Sequence, residues 1–526
     1  MFSVKSAFRK TWVLFFISII YLLVSCKDDR RNQTHQNVSL GSIEAGETLA
    51  KKYCQSCHLL PEPSLLDTRS WEKGVLPQMR LRLGIFRHGF ISYPTYKRDP
   101  FLDSGFYPSK PLLSADDWQH IVDYYISLSP DTLPSQKRLR SIKTGLALFS
   151  VEKPLNFYEN STSSCLKIIS RDPLHPLIVS DVKRQSIYFV NKNLETVDSI
   201  NNSGAVVDID FVKKDMLVCN IGVLNPDNGK FGTGFIISPD SNGIVAKRKM
   251  TLFDHLQRPV QITAADLNSD QLTDYLVCEF GFFKGALSWM ENKGDNKFVK
   301  HILRELPGAI KAYIQDYNHD GLPDIWVLFA QGDEGIFLFT NKGNGNFSQE
   351  TVLRFPPAYG SSYFELADFD KDGFPDIVYT CGDNADYSTV LKPYHGVYIF
   401  MNDKTNHFSQ KYFFPINGCY KAMAKDFDGD GDLDIAAISF FADYKRQPEE
   451  GFVYLKNIGN FDFEPYTLPE AKLGRWLTMD AGDIDGDGRI DLVLGNFCIG
   501  PSIKKSTVDW TKSPPFIVLK NTGNYR

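Results

Sequence analysis

The chain has 526 residues, too many for one hydrophobic core, so two or more domains are expected. Its 39 Phe, its 24 Tyr and the Gly, Asn and Asp that punctuate the C-terminal two-thirds suit an all-β body with many turns. The net charge of −5 is mild, and no basic stripe speaks for nucleic acid, so no nucleic-acid partner is expected.

Residues 1–25 read as a targeting segment. Lys5, Arg9 and Lys10 precede an apolar run from Trp12 to Val24, which is short for a bilayer span. The run ends Leu23-Val24-Ser25-Cys26, which resembles the bacterial lipobox. That resemblance implies a signal peptide over 1–25, lipid on Cys26 and a polar tether over 26–42. It implies an exported lipoprotein bound to a membrane by its acyl chains: the outer membrane, on its periplasmic face or at the cell surface. Two or three acyl chains anchor stably, at roughly 0.8 kcal/mol per buried CH₂.

Next comes Cys54-Gln55-Ser56-Cys57-His58. Two thiols three residues apart on a helical turn can reach two vinyl groups of one haem, and the adjacent His can ligate its iron. Upstream, Gly46, Leu49, Ala50 and Cys54 form a helical stripe. A second helix is predicted after Ser114, with Asp117 completing its cap and Trp118, Ile121, Val122, Tyr125 and Leu128 as its apolar face. Pro130 closes it. Together these segments resemble a class I-like monohaem cytochrome c, an all-α domain over 43–132. The resemblance implies one covalent haem c on Cys54 and Cys57, with His58 as an axial ligand. Met79, in a Leu-Pro-Gln-Met setting, is the expected sixth ligand; His88 is the rival, and an open position is the third reading. His120 is expected on the helix surface or packed. Residues 133–144 read as a linker.

From about residue 145 the chain repeats. Asp-rich segments at 266–274, 316–324, 368–376, 426–434 and 483–491 start 50, 52, 58 and 57 residues apart. Each precedes an apolar run, a second strand and an Asn/Gly turn, giving four short strands per unit, the blade of a β-propeller. Oxygen ligands at loop positions 1, 3, 5 and 9, with Gly at 6 for the bend, suit a hard cation. The pattern resembles the FG-GAP/VCBS repeats of integrin-α-like propellers, in which such loops bind calcium. The resemblance implies four to five calcium ions. Their ligands would be Asp266, Asn268, Asp270 and Asp274; Asp316, Asn318, Asp320 and Asp324; Asp368, Asp370, Asp372 and Asp376; Asp426, Asp428, Asp430 and Asp434; and Asp483, Asp485, Asp487 and Asp491. Gln271 stands where the other loops have Gly, and Asn268 and Asn318 replace carboxylates, which weakens those two sites. Two degenerate units before residue 266 bring the count to seven blades, spanning 145–526. A spare strand over 145–153 is expected to complete the last blade.

The expected architecture is therefore multidomain: a small all-α cytochrome c domain, then an all-β seven-bladed propeller with calcium loops. Cys165, Cys219, Cys278, Cys381, Cys419 and Cys498 are expected as buried strand cysteines, with disulfides as the alternative in an oxidising compartment. His255 and His301 read as incidental. No catalytic constellation stands out, so the expected function is electron transfer, with the propeller docking a redox partner protein. The propeller could also take a polysaccharide or small-molecule ligand. A propeller oxidoreductase of the sugar or alcohol dehydrogenase type, feeding its own haem, is the alternative, and adhesion or polysaccharide binding is a third reading.

Overall fold

The computed structural model describes residues 32, 35, 37–88, 91–92, 99–238, 248–385, 387–501, 506 and 508–523. The expected targeting segment and Cys26 lie outside the described residues. Among those described, no helix is long and apolar enough to cross a membrane.

The N-terminal part is helical. Its main elements are α1 (Leu40–Tyr53), α2 (Leu76–Arg82) and α3 (Ala115–Leu128). Ser39 caps α1 by accepting the Ser42 N–H, and Ser114 and Asp117 close a reciprocal capping box on α3. Ser129 is already extended, as the residue before Pro130 is biased to be. Helices α1 and α3 cross at Gly46: a Cβ there would lie 1.9 Å from the His120 carbonyl oxygen and 2.8 Å from the Tyr124 Cβ. The apolar face of α3 is wider than predicted. Tyr124 and Ile126 are buried beside Trp118, Ile121 and Tyr125, while Val122 and Leu128 are half-buried. The helix is covered on two sides, by α1 and by the chain between residues 61 and 76. From that second side Trp71 packs 4.4 Å from the Tyr125 ring and Pro61 accepts the Tyr125 hydroxyl at 3.1 Å. Leading into α2, Ser70–Val75 forms a π-helical turn, with the Leu76 N–H reaching back to Trp71. Pro77 has no N–H, so a regular ladder cannot run through this point.

Two expected boundaries are corrected. The tether does not extend to residue 42: α1 starts at Leu40, and Asn32 is buried, its N–H bonded to Ser127 O at 2.8 Å. The linker over 133–144 is fastened to the propeller. Gln136 donates to His395 O at 2.7 Å, Arg138 donates to Pro415 O at 2.9 Å and pairs with Glu450, and Arg140 meets Asp462 at 2.6 Å. Lys143–Thr144 then adds a short parallel strand beside Tyr466 and Thr467.

Seven antiparallel sheets make the propeller. Blades 1 to 6 take residues 163–201, 206–256, 259–304, 309–354, 361–415 and 419–467 in order. Burial peaks in the middle strands: in blade 4, Asp324–Phe329 and Gly335–Asn341 are wholly buried, the innermost Ala309–Gln315 is mostly half-buried and the outer strand Phe347–Arg354 is mostly exposed. Blade 7 contains Trp476–Gly482, Asp491–Asn496 and Phe516–Asn521, and its fourth strand is Phe149–Glu152 from the other end of the propeller chain. This closure gives the last blade its fourth strand and pairs the edge that Phe516–Asn521 would otherwise expose.

The innermost strands are stapled to one another around the whole ring by side chains reaching the next blade's backbone. Ser164 donates to Val206 O at 2.6 Å and Asp208 accepts from Ile262. Ala312 donates to Gln261 at 2.7 Å and Tyr313 to Phe364 O at 3.2 Å. Ala424 donates to Glu365 at 2.8 Å, Lys421 to Met479 O at 2.7 Å and Ile168 to Asp480 at 2.8 Å. Five cysteines, Cys165, Cys219, Cys278, Cys381 and Cys419, are buried on strands, Cys498 is half-buried, and none of the described cysteines is bridged.

Candidate functional site

Strand order divides the propeller into two faces. The acidic loops join first to second strands on one face. The loops joining second to third strands, and each blade to the next, lie on the other. The helical body sits on that second face. Tyr394 reaches from blade 5 to Leu65 O at 2.9 Å, Asn228 from blade 2 to Asp99 at 2.8 Å, and Lys284 of blade 3 pairs with Asp103. Gly74 is so close to blade 5 that a Cβ would lie 2.0 Å from the Tyr387 carbonyl oxygen.

Between the two bodies is a cavity of about 910 Å³, within the ~300–1,000 Å³ typical of ligand pockets. Cys54, Cys57, His58 and Met79 all line it, with Trp118, Tyr125, Leu76 and Leu81 adding apolar wall. Cys54 continues α1, its N–H bonded to Ala50 O at 2.8 Å, and Cys57 follows one turn later, its N–H 3.3 Å from Cys54 O. The Cys54 thiol is pushed up to about 11, first by burial and then by Cys57. His58 Nδ1 is 2.9 Å from Leu59 O, which fixes that nitrogen as the protonated one and leaves Nε2 as the nitrogen able to ligate. Burial lowers the His58 pKa, so the imidazole is held in the neutral form that a metal needs. The rival ligand His88 ends a two-residue strand, Arg87–His88, paired with Ile91–Ser92, and its side chain lies outside what is described.

These residues fit a covalently held haem: two unbridged thiols one turn apart, an adjacent oriented imidazole, a thioether facing the same space and apolar walls. His120 is engaged elsewhere, its Nδ1 2.6 Å from Ser42 Oγ. His301 stacks on Trp289 at 4.6 Å and bonds Glu291 at 2.9 Å.

The propeller side of the cavity is polar. Glu334 is buried and accepts from the Ser361 N–H at 3.0 Å and hydroxyl at 2.6 Å; burial pushes its carboxyl up to about 8. Buried Glu279 takes Lys300 Nζ at 2.6 and 2.8 Å, and buried Lys392 donates to Asn384 at 2.8 Å. Asp333 is held by Arg304 at 2.7 Å and by Arg354. His255, read as incidental from the sequence, lines the cavity. This wall has no local sequence pattern, because four blades contribute to it.

On the opposite face the five acidic loops share one geometry. Position 6 has positive φ in every one: Gly321 +85°, Gly373 +90°, Gly431 +93° and Gly488 +84°, with Gln271 at +68°. The first Asp accepts the position-6 N–H, as in Gly373 to Asp368 at 2.9 Å. The ninth Asp is buried and ties the blade together. Asp491 accepts from Ile484 N–H at 3.0 Å and Asn521 N–H at 2.7 Å, and Asp376 does the same with Phe369 and Asn402, both at 2.9 Å. Three loops gather carboxylate oxygens within 4.8 Å of one another: Asp368, Asp370 and Asp376; Asp426, Asp428 and Asp430; Asp483, Asp485 and Asp491. Burial, then neighbouring carboxylates, push Asp376 and Asp491 up to about 6. In the first two loops an amide donor takes part instead: Asn268 donates to Asp270 and Asn318 to Asp320, each at 3.0 Å.

A family profile described as "FG-GAP-like repeat" matches residues 266–327, 316–379 and 426–494. Solved structures similar to this chain include BBS1N in complex with ARL6DN, at 11% identity, covering 73% of this chain and 100% of that one, with a TM-score of 0.43. The N-terminal domain of Nup159 matches at 10% identity, 73% and 98% coverage and a TM-score of 0.42. The Dos1 propeller matches at 11% identity, 68% and 77% coverage and a TM-score of 0.39. The chain thus carries FG-GAP-like repeats within a seven-bladed propeller.

Proposed function

We propose that this chain is a c-type haem electron-transfer protein, anchored to a membrane through lipid on Cys26, with its haem in the cavity between the helical body and the propeller. The observation that carries the reading is the convergence of Cys54, Cys57, His58 and Met79, singled out by spacing and setting, on the apolar side of one cavity of about 910 Å³. Cys54 and Cys57 would hold the haem through thioether bonds, and His58 Nε2 and the Met79 sulfur would take its iron. When bound, the haem would supply one-electron chemistry, and two protein ligands, His58 and Met79, would favour electron transfer over O₂ chemistry. The chain's own work is to orient the imidazole through Leu59, keep it neutral by burial and shield one side of the cavity from water with propeller loops. The propeller also serves to dock a redox partner protein. Calcium in the loops gathering Asp368, Asp426 and Asp483 with their neighbours would hold strand ends on the far face.

Cys54→Ser with Cys57→Ser tests the haem reading. The parent should show a haem-stained band after denaturing electrophoresis and the double variant none; a parent without stain, or a stained variant, sinks it. For calcium, chelation should lower the melting temperature, and an unchanged temperature after verified metal removal refutes the site.

A second reading draws on the cavity's other wall. Glu334, its carboxyl pushed up to about 8 by burial, stands with Lys392 and Asn384 on the same cavity as the two cysteines, which suits an oxidoreductase passing electrons to its own haem. Anaerobic haem reduction by a sugar or alcohol with no partner protein present would select this reading.

A further inference from the structure

Arg82 ends α2 and lines the cavity. Its guanidinium carbon is 4.7 Å from the ring centre of Phe106, in the helical body, and 4.4 Å from that of Phe283, on the propeller. The two rings lie 25° from parallel with centroids 5.8 Å apart. The Arg82 guanidinium makes no hydrogen bond or ion pair with any described residue. Other cations on the wall are engaged: Lys284 with Asp103, Lys300 with Glu279 and Lys392 with Asn384. A guanidinium held over aromatic faces is already ordered, and its N–H donors at the edge stay available to a planar anion. The charged and titratable groups around it are Cys57, Tyr107, Tyr387 and the Asp103–Lys284 pair, with Lys230 on the same wall.

We propose that Arg82 is the carboxylate-binding group of this cavity and that the carboxylate it takes is a propionate of the haem, a proposal that rests on the haem reading above. A planar guanidinium matches a carboxylate in two parallel hydrogen bonds. Because Phe283 helps to hold that guanidinium, the propeller is part of the haem environment and influences its potential.

The test uses full-length parent, R82Q, R82K and F283A, each first checked for covalent haem by staining. Midpoint potential is then measured from pH 5 to 8, with and without added succinate. Removing the positive charge favours the oxidised haem, so R82Q should have a lower potential than the parent at pH 8. It should also let the propionate protonate about 1–3 pH units higher, giving R82Q a potential that climbs as pH falls where the parent's is flat. R82K should restore most of the parent curve, and F283A should fall between parent and R82Q. If R82Q unfolds or loses haem, R82K and F283A decide the case, and an F283A curve identical to the parent's overturns the proposal. An R82Q curve superimposable on the parent's also overturns it. If succinate shifts the parent and not R82Q, the occupant is a free carboxylate and the propionate assignment fails. A parent without stained haem refutes the haem reading itself, and this proposal with it.

Discussion

Gly46→Ala is the sharpest perturbation of the helical body. A Cβ at Gly46 would stand 1.9 Å from the His120 carbonyl oxygen and 2.6 Å from its carbonyl carbon, both backbone atoms of α3 that no rotamer change can remove. An ordinary contact needs well over 3 Å, so α1 and α3 must separate by more than 1 Å along a seam that buries Ala50, Ile121 and Tyr124. Overpacking of this kind costs about 1–3 kcal/mol, and the upper end applies where backbone must move. Alanine returns up to about 1 kcal/mol through helix propensity, leaving a net loss of about 2 kcal/mol. Gly41, in the same helix, is the control, because nothing lies within 4 Å of its would-be Cβ. Gly41→Ala should leave stability unchanged or raise it by a few tenths of a kcal/mol. Hydrogen exchange read by mass spectrometry on peptides from 40–53 and 115–128 separates this body from the propeller. The expected result is roughly 30-fold faster exchange in both helices of Gly46→Ala, which is about 2 kcal/mol at 1.4 kcal/mol per factor of ten. Protection equal to the parent's in both peptides would refute the crossing.

Three further outcomes are expected. Gln271→Gly should raise the melting temperature, since Gln271 holds φ +68° where the other loops have Gly, a strain of about 1 kcal/mol; a lower temperature would refute this. Asp491→Ala leaves the Ile484 and Asn521 N–H groups unpaired, so it should destabilise by about 2 kcal/mol or more even under chelation, whereas Asp485→Ala, which under chelation loses only the Lys520 pair and the exposed Asp487 N–H bond, should cost much more with calcium present than without. Equal behaviour of the two variants in melts with and without chelator would refute that division. Glu334 titrates at about 8 in the fold against an ordinary 4.5, so the folded protein keeps a proton that the unfolded chain releases. Its stabilising effect is complete below pH 4.5 and is lost as pH rises to 8, by up to about 1.4 kcal/mol per unit. Glu334→Gln should remove that slope, so the stability difference from parent in urea melts shifts in the variant's favour from pH 5 to pH 8; a constant difference refutes it.

The propeller was legible because its information is local and repeated. Each acidic loop sits at a fixed place between two apolar strands, and the strand over 149–152 was visible as a surplus beside a last blade that stopped short. Cys54, Cys57, His58 and Met79, which line the cavity, were legible for the same reason, falling within five consecutive positions and at one nearby Met. The other half of the cavity was not, since Phe283, Glu334, Asn384 and Lys392 come from three different blades and meet only in the fold. One trace did exist. The spacing from Asp368 to Asp426 is 58 residues, against 52 before it, and the additional residues fall in the loop over 382–395 that brings Asn384, Tyr387 and Lys392 to the cavity. Arg82 gave no signal, because a cation in Arg80-Leu81-Arg82-Leu83 reads as an ordinary solvated helix end. The tether was misjudged because Asn32 looks like a polar linker residue, yet its amide bonds Thr68 Oγ1 and Ser129 O, both at 3.0 Å.

The shared last blade has a consequence for how the molecule is made. Phe149–Glu152 emerges more than 360 residues before Phe516–Asn521, the strand it pairs with. Until Phe516–Asn521 is made, Phe149–Glu152 has no partner and the last blade cannot close, so the slowest contacts of the ring are also its most distant in sequence. For the earlier part of that interval, until blades 2 to 5 are made, the thiols of Cys54 and Cys57 stand open. A prosthetic group fastened there would be attached before blades 2 to 5, which wall the cavity, have closed over it.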